Sequence, residues 1–248
     1  MRRILTLFLL AGTTPLLHGC KADPASQASS DMDKGATSTA VAPKETPSPS
    51  KPTSPASPKA DPGPDKRPLL VCFGDSLTAG YGADEGQSYP DFLQQNLDRE
   101  GFHYRVVNEG ISGNTTKDGV DRLPGILAMK PEVVVLEFGG NDGLRGLKVQ
   151  TTRTNLETMI AKLKKSGAKV AIAGITLPPD YGSDYVNAFT ANYPTLGRKF
   201  DVPVLPFLLK DVYGVPGMMQ ADNTHATDQG NQIVAKNVQG LVEPLLHR

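Results

Sequence analysis

Cysteine is scarce in this 248-residue chain, which has only Cys20 and Cys72. No Cys-x-x-Cys or His-Glu-x-x-His spacing occurs, so the common zinc and redox signatures are missing. Net charge is lacking too, since 26 basic residues balance 26 acidic ones. A nucleic-acid partner would call for a basic surface, and the composition offers none. Nor is there an apolar run long enough to cross a bilayer: residues 4–17, "ILTLFLLAGTTPLL", fall short of the roughly 20 residues a spanning helix needs.

That short run carries a different message. Arg2 and Arg3 precede it and the small residue Gly19 follows it, the layout of an export signal. Its end, "LLHGC", resembles a bacterial lipobox, with His18 standing where a small residue is usual. The expectation is that residues 1–19 are a lipoprotein signal peptide and that Cys20 is lipidated. Several acyl chains on one cysteine would anchor the protein stably, where a single chain is marginal. By analogy, Lys21 rather than Asp after the cysteine implies the periplasmic face of the outer membrane. A soluble periplasmic or secreted form is the alternative. Loss of Arg2 and Arg3 leaves 24 basic against 26 acidic residues, a formal −2. Lipidation of Cys20 leaves Cys72, inside "LLVCFG", without a disulfide partner, and it is expected to pack as a small hydrophobe.

From Lys21 to Pro68 the sequence changes character: it holds ten of the chain's 21 prolines and no aromatic residue. Such a segment cannot bury enough apolar surface to offset the entropy of ordering it. Residues 20–67 therefore read as a lipidated cysteine and a disordered Pro/Ser/Ala-rich tether. Coiled, roughly 47 residues span about 40 Å.

Residues 68–248 have the length of one domain. Near-continuous Val, Ile and Leu runs recur at "LLVCFG", "YRVVNEG", "EVVVLEFG", "KVAIAGI" and "VPVLPF", as expected of strands covered on both faces. Helical patterns alternate with them. "SYPDFLQQNLDREG" starts with Ser88 and Asp91 at capping-box spacing, "TNLETMIAKLKKSG" repeats Leu156, Met159, Ile160 and Leu163, and a last helix carries Ile233, Val234, Val238 and Leu241. Strict alternation predicts an α/β fold with a doubly wound, flavodoxin-like parallel sheet of five strands. Ligands of such sheets sit beyond the carboxyl ends of the strands, which directs attention to the loops starting at Gly74, Gly110, Gly139 and Thr176.

Those loops hold a set of residues suited to acyl transfer, which needs a nucleophile, a base, an acid to orient the base, and donors for an oxyanion. Ser76 follows the first strand in "FGDSLTAGYG". Of four histidines, His225 alone combines a place ahead of a helix with an aspartate, Asp222, three residues before it. "GISGNTT" offers the N–H of Gly113, and "EFGGNDG" the amide of Asn141. Taken singly, each is equally a turn or a helix cap. Asp75 reads as a residue that fixes the serine loop rather than one that moves protons. The serine lacks the second glycine of a G-x-S-x-G elbow.

The four blocks "FGDSLTAGYG", "VVNEGISGNTT", "LEFGGNDGLRG" and "DNTH" resemble the GDSL, or SGNH, hydrolase family, and within it the bacterial periplasmic thioesterase I, arylesterase and lysophospholipase L1 group. The resemblance runs from about Pro68 to Leu245. It implies a serine esterase that cleaves carboxylic ester or thioester bonds through an acyl-enzyme. Ser76 would be nucleophile, His225 base and then acid, and Asp222 its partner. The Ser76 and Gly113 N–H groups and the Asn141 amide would form the oxyanion hole. Leu177, Pro178 and Tyr181 match a loop bordering the acyl-chain site. Ala226 departs from the family, where proline often follows the histidine. No metal or cofactor is implied, and the partners expected are a small ester, thioester or lysophospholipid substrate and, through the anchor, a membrane, with the chain a monomer. A non-catalytic envelope lipoprotein binding a small ligand, a flavodoxin-like cofactor binder and an acyl esterase of envelope carbohydrate are the competing readings.

Overall fold

The computed structural model describes residues 65–248. The expected signal peptide, Cys20 and the expected tether as far as residue 64 lie outside the described residues.

Five parallel strands make one sheet in the order β2-β1-β3-β4-β5. They are β1 (Leu69–Gly74), β2 (Arg105–Gly110), β3 (Val133–Glu137), β4 (Lys169–Ala173) and β5 (Val204–Leu205). Every residue of β3, and all of β1 after Leu69, is buried, which is why these strands read as unbroken apolar runs rather than alternating ones. Helices α1 (Ser76–Ala79), α2 (Tyr89–Arg99), α3 (Thr116–Ala128), α4 (Gly140–Leu144), α5 (Val149–Lys165), α6 (Ser183–Thr190), α7 (Asn192–Phe200) and α8 (Asp228–Val242) fill the connections. α2 packs with α8, while α3, α5 and α7 form the other group of helices. The five-stranded doubly wound expectation holds.

Local rules account for the helix ends. Ser88 and Asp91 form the capping box read from the sequence, and Thr115 with Asp118 forms a second one at the start of α3. α3 itself has a weak sequence signal because it contains Pro124 and two glycines. Pro124 is exposed, so its ring points away from the core, while Gly119 brings α3 against Met159 of α5 and Phe138. α5 starts at Val149, five residues before the apolar repeat becomes regular. β5 is shorter than "VPVLPF" suggests, because Pro203 and Pro206 flank Val204–Leu205 and neither can donate to a ladder.

Cys72 is fully buried in β1, and burial pushes its thiol up to about 12. Among the described residues no helix is long and apolar enough to cross a membrane.

Register decides where the loops emerge. Gly74 at the end of β1 pairs with Gly110 of β2 and with Glu137 of β3. The three following loops therefore leave the sheet side by side. The strand order reverses between β1 and β3, so the crevice of this architecture opens between the Ser76 and Asn141 loops.

Candidate active site

Ser76 is the first residue of α1, directly beyond β1. The turn is tight: a Cβ on Gly74 would meet Thr78 Oγ1 and the Glu137 carboxylate, and one on Gly110 would meet the backbone N of Ala79 at 2.1 Å. Asp75 caps α1, its Oδ1 accepting from the Leu77 N–H at 3.1 Å. The loop role read for Asp75 from the sequence matches this geometry.

His225 and Ser76, 149 positions apart, meet here: His225 Nε2 lies 2.9 Å from Ser76 Oγ. On the other side of the ring, Nδ1 lies 2.7 Å from Asp222 Oδ2. Asp222 Oδ1 also accepts the His225 and Thr224 backbone N–H groups at 3.0 and 2.9 Å. Burial works against its charge, but the hydrogen bonds from the imidazole and the two N–H groups outweigh it and hold the carboxyl at about 2.

Ala226 does not loosen this loop. Met219 and Ala226 form an antiparallel bridge, closed by Gln220 N–H to His225 O at 2.8 Å and Thr227 N–H to Met218 O at 2.9 Å. The Gln220 side chain adds bonds to the Tyr81 and Ala226 carbonyls, and the Tyr81 ring stands 4.7 Å from the imidazole.

Asn141 belongs to α4, whose preceding residue, Gly139, adopts φ +123, out of reach of an ordinary side chain. Its Nδ2 donates to Asp75 Oδ2 at 3.2 Å and to the Asn114 carbonyl at 3.0 Å. Gly113 adopts φ +82 beside Asn114. Its carbonyl accepts from Arg145, and its N–H has no partner among the described residues.

Ser76, Asn141 and His225 line a cavity of about 330 Å³ whose remaining walls are mainly apolar: Leu77, Leu144, Ile175, Leu177, Pro178, Phe207, Leu209 and Tyr213. Leu177 and Pro178, two of the residues named from the resemblance, are among the lining. Tyr181 is one step removed. It does not line the cavity, and its hydroxyl donates instead to the carbonyl of Leu144, which does. The histidine His247, set aside on sequence grounds, bonds Tyr104 beyond the opposite ends of the strands.

Three supporting residues escaped the sequence reading. Asp142 is buried and ties α4 to the first turns of α3 and α5, accepting from the Thr116 N–H at 2.8 Å and the Thr152 hydroxyl at 3.1 Å. Arg122 holds the Gly113 loop through the Glu109 carbonyl and Asn114 Oδ1, at 2.7 and 2.9 Å. Glu137 is wholly buried beneath Ser76 and accepts from the Asp75 N–H at 3.2 Å and the Thr78 hydroxyl at 2.8 Å.

The GDSL-like lipase/acylhydrolase family model matches residues 72–233, which span all these loops. The chain belongs to that family. It is 44% identical over 178 residues to esterase TesA of Pseudomonas aeruginosa, covering 71% of this chain and 89% of the relative. The crystal structure of TesA aligns with TM-score 0.70, covering 72% of this chain and 99% of that one. Over 179 residues it is 38% identical to thioesterase 1/protease 1/lysophospholipase L1 of Escherichia coli K12, covering 72% of this chain and 85% of the relative. Esterase EstA from Pseudoalteromonas sp., solved as inhibited by monoethylphosphonate, aligns with TM-score 0.68 at 28% identity, covering 71% of this chain and 97% of that one. This GDSL hydrolase is an ester-hydrolysing enzyme, and the readings as a non-catalytic lipoprotein or a cofactor binder fall away.

Proposed function

We propose that this GDSL hydrolase is a serine esterase acting on carboxylic ester or thioester bonds of substrates with an apolar acyl chain. Ser76 Oγ attacks the acyl carbonyl while its proton passes to His225 Nε2. His225 keeps its Nδ1–H directed at Asp222, whose carboxylate stabilises the imidazolium that forms. The negative charge on the carbonyl oxygen is met by the N–H groups of Ser76 and Gly113 and by Asn141 Nδ2, which gives up its bond to the Asn114 carbonyl. His225 then returns the proton to the leaving alcohol or thiol, and a water repeats the sequence to release the acid.

The observation carrying this reading is the 2.9 Å approach of His225 Nε2 to Ser76 Oγ, with Asp222 behind the ring. The apolar walls of the cavity favour an acyl chain over an acylated sugar. The names of the relatives supply the ester and thioester classes. The phosphonate inhibition of EstA suits an activated serine. Residues 1–19 are proposed as the signal, 20–67 as lipidated Cys20 and tether, and 68–248 as the catalytic domain on the periplasmic face of the outer membrane.

The deciding experiment is turnover of nitrophenyl esters and acyl thioesters of graded chain length, with Ser76→Ala as blank. Ser76→Ala should be nearly inactive, and Asn141→Ala should lose about 10²–10³ in kcat. Hydrolysis by Ser76→Ala at the parent rate would overturn the reading.

A further inference from the structure

Beneath the serine lies a second polar cluster that the reaction steps leave unused. Glu137 is completely buried at the end of β3, and Asp75 is 1% exposed at the end of β1. The two side chains are neighbours: the Asp75 N–H donates to Glu137 Oε2 at 3.2 Å, and each carboxyl perturbs the other. Glu137 Oε2 already serves two donors, the Asp75 N–H and the Thr78 hydroxyl, and Thr78 Oγ1 in turn contacts the Tyr89 hydroxyl at 3.1 Å. Glu137 Oε1, by contrast, is the one buried side-chain polar atom among the described residues with no hydrogen-bond partner. A buried carboxylate oxygen with neither donor nor water is costly, and two carboxylates in contact repel. A single proton on the Glu137 carboxyl removes both difficulties, because it turns an acceptor without a partner into a donor that the neighbouring Asp75 carboxylate can accept.

We propose that Glu137 works as a neutral carboxylic acid that donates to the Asp75 carboxylate, and that this bond positions the Asn141 amide. Resting on the oxyanion role proposed for Asn141, the inference extends it by one link. Asp75 Oδ1 holds the Leu77 N–H, which sets α1 and Ser76, and Oδ2 holds Asn141 Nδ2. The nucleophile and the oxyanion donor are therefore referenced to the same carboxylate, which is fixed from below by Glu137. Glu137 touches no reacting atom and is a positioning residue. Burial, followed by the charge of Asp75, drives the Glu137 carboxyl well above the ordinary range, in the direction this requires. The other titratable groups that interact with the pair are Cys72, Tyr89, Tyr193 and His225, and Arg122 approaches from the Gly74 carbonyl at 3.5 Å, where Glu109 is its ion-pair partner. Cys72, Tyr89 and Tyr193 carry no positive charge, and the charge that His225 can carry acts on Asp75 rather than on Glu137.

The test compares Glu137→Gln, which keeps an acceptor and an N–H donor in the same shape, with Glu137→Leu, which keeps neither. Glu137→Leu should lose about 10- to 100-fold in kcat with KM changed less than about threefold, and Glu137→Gln should recover most of that loss. Infrared spectra at pH 8 should show a protonated-carboxyl C=O band in the parent that vanishes in Glu137→Gln. Should Glu137→Leu fail to fold, the band and the activity of Glu137→Gln decide the matter. A parent without the band, or Glu137→Gln as impaired as Glu137→Leu, overturns the proposal. Labelling of Ser76 by a fluorophosphonate probe keeps the two readings apart. An unlabelled parent sinks the serine mechanism and with it the purpose of this bond, whereas a labelled parent lacking the band sinks the Glu137 proposal alone.

Discussion

Asp222 has 41% of its side chain open to solvent, against 15% for His225. Water can therefore replace part of what the carboxylate does, but it cannot choose the tautomer of the ring. Asp222→Asn presents an amide to Nδ1 and invites the wrong nitrogen to carry the proton, so kcat should fall by about 10²–10⁴. Steady-state kinetics on a nitrophenyl ester check this, and a loss below about tenfold would contradict it. The two aspartates respond to pH with opposite signs. Asp222 is lowered from 3.8 to about 2 by its hydrogen bonds, so its contribution to stability is complete above the ordinary value and is lost as pH falls through about 2. Asp75 is raised from 3.8 to about 6, mainly by burial, and Glu137 is raised further. Between about pH 4 and 6 the native pair binds more protons than the unfolded chain, so its contribution declines as pH rises. Urea midpoints across that window should fall less steeply in Glu137→Gln than in the parent. Parallel profiles for the two proteins would refute the assignment.

At the scale of elements, the His225 loop shows how one hairpin-like bridge replaces a stiff residue. Met219 and Ala226 face each other with their bonds made by the flanking residues, so the Ala226 N–H takes no part in the bridge. Ala226→Pro removes a donor that no described residue uses and narrows the unfolded ensemble. It should raise stability by about 0.4–1 kcal/mol with little change in kcat. Thermal unfolding measures it, and a lower midpoint would mean that the ring or its effect on His225 strains the loop. The same scale separates what was legible from what was not. The inner strands announced themselves because both faces are covered, and the α2 capping box because Ser88 and Asp91 interact locally. α3 was hidden by Gly119, Pro124 and Gly125, which serve helix packing or point to solvent. Ser76, Asn141 and His225 could be proposed from the loops that carry them. Glu137 could not, because in sequence it is only a charge at the end of an apolar run, and its burial exists only once β1 and β3 are paired in register.

At the scale of the described domain, the large exposed hydrophobics fall in connections that follow strands. The exposed large hydrophobics among the described residues are Tyr81, Ile111, Leu144, Leu147, Tyr181, Tyr213 and Val215, and each follows the carboxyl end of a strand. Two of them, Leu144 and Tyr213, line the cavity that holds Ser76, so an acyl chain too long for about 330 Å³ has apolar surface to continue along. Leu144→Asp should then raise KM for long-chain esters by about tenfold or more and leave acetyl and butyryl esters within about twofold; equal effects on both would show that the rim takes no part in binding. The opposite edge is where β1 begins, and from there roughly 47 residues would lead back to the proposed lipid on Cys20. A coil of that length, as the composition leads one to expect, would span about 40 Å. Anchoring and catalysis should therefore separate cleanly. Cys20→Ser should move the protein from the membrane to the soluble fraction while kcat/KM on a soluble ester stays within about twofold, because every group proposed for the reaction lies between Ser76 and His225. Fractionation followed by assay of both pools tests this. Membrane retention of Cys20→Ser would remove the lipid anchor from the account, and a large loss of kcat/KM would mean that the tether reaches the site.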